Sequence, residues 1–554
     1  MAVITTSKPT ASVPIITTGQ SSKRVLTDAA IDFISFVAVH SQKKPVSDEI
    51  PRVRTSTLSS SIATVYEQLR NTVDRTEQHL LRRNAIYRFL KRYVMVYGRR
   101  DKLGSLLINE LVRSGYVPNN TFPAHDVVRL DEIIEKNVRV IDQLRVSVPE
   151  IKTRDHDRWG LGLAAAEIEH FLYNPERELA LVHFAFDDLK QRIQWEDNGL
   201  AESERDMQLY LAIHRAVFRS DALLIEYHLL SAYYTGKPDW QSPSADPREM
   251  AAHAVKFREI IRAQINHPKA GRLAQQVKRM LLPYRTLFDM VVANPQDGNK
   301  RIEDVETFLA DAQKVIQNYY KQNRRAIRKS AVRSVLFIFI TKMTLALAFE
   351  IPYDLSAVGH IRYIPLGINV AFHPLFLFVL GTLVRFPEKE NTQRILVDLR
   401  ATVLREKTAP LYYIQLQSER SSVTNFILLG LYLLTFAVTF GGLVYLLREF
   451  NFGLLGGGLF LFFLTLVTFV GIRLRARAHT YFMVRRKESL VGSLFWFFAN
   501  PMVEVGRWMS QKFVRYNLFL FLFDIILEAP FKAITHGLEE WFRFARERSE
   551  EITE

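Results

Sequence analysis

Residues 423–447 read VTNFILLGLYLLTFAVTFGGLVYLL, and residues 454–472 read LLGGGLFLFFLTLVTFVGI, with no Asp, Glu, Lys or Arg in either run. About 20 apolar residues in a helix cross the ~30 Å hydrocarbon core of a bilayer. A helix that is apolar around its whole circumference has no face to offer water. Both runs are therefore expected to span a membrane. Working outward, Val335–Pro352 and Tyr363–Val384 reach a comparable length but carry polar interruptions, Lys342 and Glu350 in the first and Asn369, His373 and Pro374 in the second. Gly441, Gly442, Gly456, Gly457 and Gly458 flank the turn between the third and fourth runs, where small residues let helices approach closely.

Lys and Arg in short loops stay on the cytoplasmic side of a membrane, and here they are unevenly distributed. Lys321, Arg324, Arg325, Arg328, Lys329 and Arg333 precede the first run. Arg385, Lys389, Arg394, Arg400, Arg405, Lys407 and Arg420 lie between the second and third. Arg473, Arg475, Arg477, Arg485, Arg486 and Lys487 follow the fourth, giving nineteen basic residues against only Arg362 and Arg448 in the two opposite loops. Four spans with both termini cytoplasmic satisfy every loop, with no cleaved signal peptide. The same placement accounts for the formal charge of +15. Basic clusters that border spans favour anionic membrane lipids as partners. Nucleic acid is disfavoured, because its recognition calls for basic residues on a soluble face interleaved with stacking aromatics.

The expected fold class is all-α: a large cytoplasmic helical domain, then a polytopic membrane domain of about four spans, then an interfacial helical C-terminal segment. The expected divisions are a Ser/Thr-rich disordered tail over 1–27, the helical domain over 28–300, a basic stalk helix over 301–334, the membrane domain over 335–488 and amphipathic helices over 489–554. Apolar residues recur at three and four spacing throughout 28–333. This predicts helices that include Thr57–Tyr97, Ser203–Tyr234 and Ala270–Val292. No Pro or Gly interrupts Ile302–Phe349, so one continuous helix is expected to enter the membrane. Leu490–Phe544 is aromatic but broken by Pro501, Arg507, Lys512 and Arg515, and is expected to lie in the interface or pack against the spans. Asp524 and Glu528 form an acidic pair on one face of that region. The stretch Phe523–Pro530 is similar in part to the acidic pore motif of mitochondrial calcium uniporters. Its acids are four apart rather than three, and Lys532, His536 and Glu539 follow, so an interfacial polar face is the expectation.

Chemistry-bearing motifs are sparse. The 554 residues contain no Cys, which removes thiol nucleophiles, disulfides and Cys-ligated metals. Phosphate-binding loops and nucleophile elbows are absent. Glu167 and His170 form half of a di-iron bundle motif with no second copy, and Gly160 and Gly162 are read as helix-packing residues. His479, Glu488, Glu504 and Asp524 are too scattered to suggest a lipid-modifying enzyme. No cofactor, metal site or catalytic residue is expected. A mid-bilayer Lys342 needs a partner or a wet cavity, with Glu350, His373 or the Asp524 and Glu528 face as candidates. Headgroup contacts are expected at Arg324, Arg325, Arg328, Lys329, Arg473, Arg475, Arg477, Arg485, Arg486 and Lys487. The leading expectation is a non-enzymatic membrane scaffold that binds cytoplasmic protein partners and may form homo-oligomers only incidentally to that role. The alternative is an oligomeric transporter or channel built around Lys342 and His373.

Overall fold

The computed structural model describes residues 26–42, 51–53, 78–99, 101–146, 153–196, 199–219, 221–234, 238–296, 304–382, 384–404, 409–416, 422–484 and 490–515. The expectations for residues 1–25 and 54–77, for Arg485, Arg486 and Lys487, and for Asp524 and Glu528 lie outside the described residues. The chain divides into two compact units, one of residues 1–317 with 389–418, the other of 318–388 with 419–554.

The first unit is helical, in the order α1 (Asp28–Ser41), α2 (Gln78–Leu90), α3 (Leu103–Arg113), α4 (Asp126–Val146), α5 (Thr153–Tyr173), α6 (Glu176–Arg192), α7 (Glu202–Phe218), α8 (Ala222–Tyr233), α9 (Pro247–Ile265), α10 (Ala270–Met280) and α11 (Leu282–Ala293). Several starts carry the expected caps. Thr27 accepts from the Ala30 amide at 3.2 Å, and Asp246 accepts from Arg248 at 2.9 Å with Pro247 in the first turn. One core joins Trp159, Tyr227, Trp240 and Met250, and another joins Phe89, Leu107, Ile134 and Ile168. Gly160 and Gly162 serve packing, since a Cβ there would stand 2.8 Å from Ile141 and 2.9 Å from Leu223.

Two long helices expected from periodicity are each divided. Ser203–Tyr234 breaks at Arg219, whose φ of 50° is left-handed, and Asp221 restarts the helix by accepting from Leu224 at 3.2 Å. Ala270–Val292 breaks at Leu281, just before Pro283 at the start of α11. Apolar spacing survives both breaks, which is why it conceals them.

Residues 389–418, read from sequence only as a basic loop, complete the first unit. They form α15 (Lys389–Val403) and β2 (Tyr412–Ile414), and β2 pairs in parallel with β1 (Ile193–Trp195), setting Gln194 opposite Tyr413. Ile395, Leu399 and Val403 are buried at helical spacing. Arg192 ties the segment down: it donates to Thr402 at 2.9 Å, Asp188 at 3.0 Å and the Pro410 carbonyl at 3.1 Å. Its guanidinium also lies 3.6 Å from Asp398. The Tyr412 hydroxyl donates to Asp398 at 3.0 Å.

The second unit holds the four helices long and apolar enough to cross a membrane: Val305–Ala357, Tyr363–Thr382, Ser422–Glu449 and Leu454–Tyr481. The first of these comprises α12 (Val305–Leu345), a wider π turn over Ala346–Glu350, and α13 (Ile351–Ala357). The others are α14 (Tyr363–Thr382), α16 (Ser422–Glu449) and α17 (Leu454–Ala478), the last followed by a short 3₁₀ turn. α12 is unbroken from Val305 to Leu345, in keeping with the absence of Pro and Gly. A final helix, α18 (Leu490–Arg515), packs against α16 and α17.

Candidate functional site

The polar residues singled out in the first two spans meet inside the second unit. Lys342 on α12, Glu350 at the end of the π turn, and Asn369 and His373 one turn apart on α14 are all buried. The Lys342 ammonium donates to Asn369 Oδ1 and lies 4.3 Å from the centre of the Phe463 ring. The Asn369 amide donates in turn to both Glu350 carboxylate oxygens, at 3.0 and 2.9 Å, and to the Gly456 carbonyl at 3.3 Å. One neutral side chain thus bridges a cation and an anion of the same chain segment. A π turn inserts an extra residue into the helical register, and this one brings Glu350 onto the buried side.

Gly456 makes room for the carboxylate, because a Cβ there would stand 2.7 Å from Glu350 Oε1. His373 has its two ring nitrogens 3.1 Å from the Asn369 carbonyl and 2.9 Å from the Phe460 carbonyl. A neutral imidazole can donate to only one of them. Nearby hydroxyls are occupied locally: Thr465 donates to Phe462 O at 2.8 Å and Thr468 to Leu464 O at 2.7 Å.

At one end of these spans the basic residues gather. Lys321, Arg324, Arg325, Arg328, Lys329 and Arg333 on α12 are exposed, as are Arg473 and Arg477 on α17. The two helices are joined there by Tyr319 stacking on Tyr481, with centroids 5.7 Å apart, and by Asn323 donating to the Arg477 carbonyl at 3.4 Å. Arg324 lies 4.7 Å from the Phe386 ring and Arg475 lies 4.4 Å from the Trp496 ring. On α12 the exposed cations give way within two turns to exposed Val332, Leu336, Phe337, Phe339 and Ile340.

The first unit contains a buried polar arrangement that sequence reading reached only through His170. His170 Nδ1 lies 3.1 Å from His228 Nε2, and His228 Nδ1 lies 2.7 Å from His214 Nε2. The break at Arg219 folds α7 back on α8 and brings His214 to His228. Burial lowers His170 to about 4 and His214 to about 3, with Arg215 and His183 adding to the latter. Burial lowers His228 well below its ordinary value, with both neighbouring imidazoles adding. The row is therefore neutral near pH 7. Glu167 takes no part in it: buried, it accepts from Lys136 and from Asn137 at 2.9 Å, while Lys136 also donates to the Trp240 carbonyl at 2.7 Å. This is an internally satisfied ion pair, not half of a metal site. Among the described residues no group of three or more His, Asp or Glu is arranged to hold a metal ion.

Comparison of the chain with family models, with curated proteins and with solved structures gave no match.

Proposed function

We propose that this protein is an integral membrane scaffold whose four spans anchor a helical domain that engages cytoplasmic protein partners, without performing a catalytic step. The observation that carries this reading is the closed polar cluster of the spans. A conduit keeps ionisable side chains along a wet path, with hydrogen-bonding capacity available to the species that passes. Here the Lys342 ammonium, the Asn369 amide and the Glu350 carboxylate satisfy one another. Such an arrangement supports a lock between helices.

The orientation follows the basic residues, and one feature of the first unit supports it. Residues 389–418 fold with residues 1–317, so the chain between them crosses the bilayer an even number of times. With both on the cytoplasmic face, the basic ends of α12 and α17 meet anionic phospholipid headgroups and the apolar turns of α12 meet acyl chains. Attraction of this kind contributes roughly 1 kcal/mol per Lys or Arg near the surface.

A second reading, an oligomeric transporter, draws on three ionisable groups buried together, Lys342, Glu350 and His373. Proteoliposomes decide between the two. The scaffold reading expects no flux of protons, monovalent cations or anions above empty vesicles under an imposed gradient. Flux that disappears in Lys342→Leu while the protein remains folded would replace it with the transport reading.

A further inference from the structure

α18 presents two unlike faces. Its inner face meets α17 without clearance: a Cβ on Gly506 would stand 2.4 Å from the Thr465 carbonyl oxygen and 2.8 Å from Phe469 Cβ. Thr468 lies 3.9 Å from the Met502 sulfur and Thr465 lies 3.5 Å from the Met509 sulfur. Arg475, near the basic end of α17, covers Trp496. α18 therefore runs beside α17 from its basic end to its midpoint, where Thr465 sits. This matches packing against the spans, not a helix lying flat in the interface, for residues 490–515.

The outer face at that depth is charged. Asn500, Glu504 and Arg507 fall at i, i+4 and i+7, which places them on one stripe. Glu504 and Arg507 pair at 2.6 Å with side chains 37% and 57% exposed. Phe497 and Trp508 are exposed beside them. An ionised side chain level with the middle of a span faces a bundle interior, an aqueous cavity or a polar partner, not acyl chains.

We propose that this face of α18 is an interface between two copies of this chain. The stripe carries one acid and one base three residues apart, so a twofold axis passing between them sets Arg507 of each copy opposite Glu504 of the other. Charge complementarity thus selects a second copy over a lipid or an unrelated helix. Phe497 and Trp508 supply the apolar margin that excludes lipid from the pairs. The inference rests on the reading of α16 and α17 as membrane spans.

Copy number of the full chain in nanodiscs, counted by single-molecule photobleaching, tests it. Wild type is expected to hold two copies. E504R leaves two bases on the stripe and R507E leaves two acids, so each variant alone should dimerise at least tenfold more weakly. Mixing E504R chains with R507E chains should restore pairing, read as energy transfer between differently labelled copies. A merely intrahelical ion pair would not respond to mixing. Should either variant fail to fold, E504Q and R507Q serve, each weakening pairing without repulsion. Single-copy wild-type protein at every protein density overturns the proposal, as does a mixture that pairs no better than its components. Release of the protein by alkaline washing of membranes would instead remove the membrane reading, a separable outcome.

Discussion

Acidification from pH 7.5 to 5 should loosen the α7 and α8 hairpin by an amount that the histidine row fixes. In the unfolded chain each imidazole titrates near 6.5, whereas burial holds His170 to about 4 and His214 to about 3 in the fold, and His228 well below the ordinary value. Below pH 6.5 the unfolded state takes up protons that the folded state refuses, so stability is complete above that pH and falls as pH drops toward 4. At about 1.4 kcal/mol per pH unit per group, 1.5 units cost about 2 kcal/mol each, or about 6 kcal/mol for three. That is comparable with a domain's whole stability of about 5–15 kcal/mol. Glu169 and Asp398 act in the opposite sense, because burial raises their carboxyls, against Arg82 for the first and against Arg394 and Arg192 for the second. Their effect lies lower in the pH range and blunts the fall there. Hydrogen exchange of amides in residues 202–233, corrected for intrinsic rates, should lose roughly 10⁴-fold of protection at pH 5. In H214N/H228Q the loss should shrink to about 2 kcal/mol, the His170 share alone. Equal protection at both pH values, or an undiminished loss in the double variant, refutes the argument.

Three further outcomes follow from the packing. Lys342→Met leaves the Glu350 carboxylate buried without its cation and should cost about 3–5 kcal/mol, seen as a lower unfolding midpoint in detergent. K342M/E350Q should recover most of it. Gly456→Ala drives a Cβ against Glu350 and should destabilise by about 1–3 kcal/mol in the same measurement, while Gly458→Ala, where nothing lies within 4 Å, should have little effect. Arg192→Met removes the donor that binds Thr402, Asp188 and Pro410, and should make residues 404–416 cleavable by protease at least tenfold faster than in wild type.

The spans were legible because a bilayer imposes a crude requirement, length and continuous apolarity, that a single sequence displays directly. Helical character in the first unit was legible for a related reason, since core-facing residues must recur with the helical turn. Breaks were not, because Arg219 and Leu281 interrupt the backbone without disturbing that recurrence. α15 was hidden by its charges: Ile395, Leu399 and Val403 do carry a helical stripe, but Arg394 and Arg400 beside them read as a membrane-flanking cluster. A three-residue strand such as β2 is too short to show alternation. Of the polar cluster, sequence named all four members and missed its wiring, because a partner for Lys342 was sought among charged groups and the bridging residue is the amide of Asn369. His214 and His228 carried no spacing signal at all; only the hairpin brings them together.

The pairing of β2 with β1 has a consequence for how the protein is made. Everything up to residue 317 leaves the ribosome before the strand and helix that finish its fold, and two hydrophobic segments must be delivered to the translocation machinery in between. Until then the edge of β1, the Arg192 guanidinium and the side of α11 that receives α15 stay open. A nascent chain in that condition needs chaperone cover, and a fragment ending near residue 300 is expected to aggregate unless residues 389–416 are supplied alongside it.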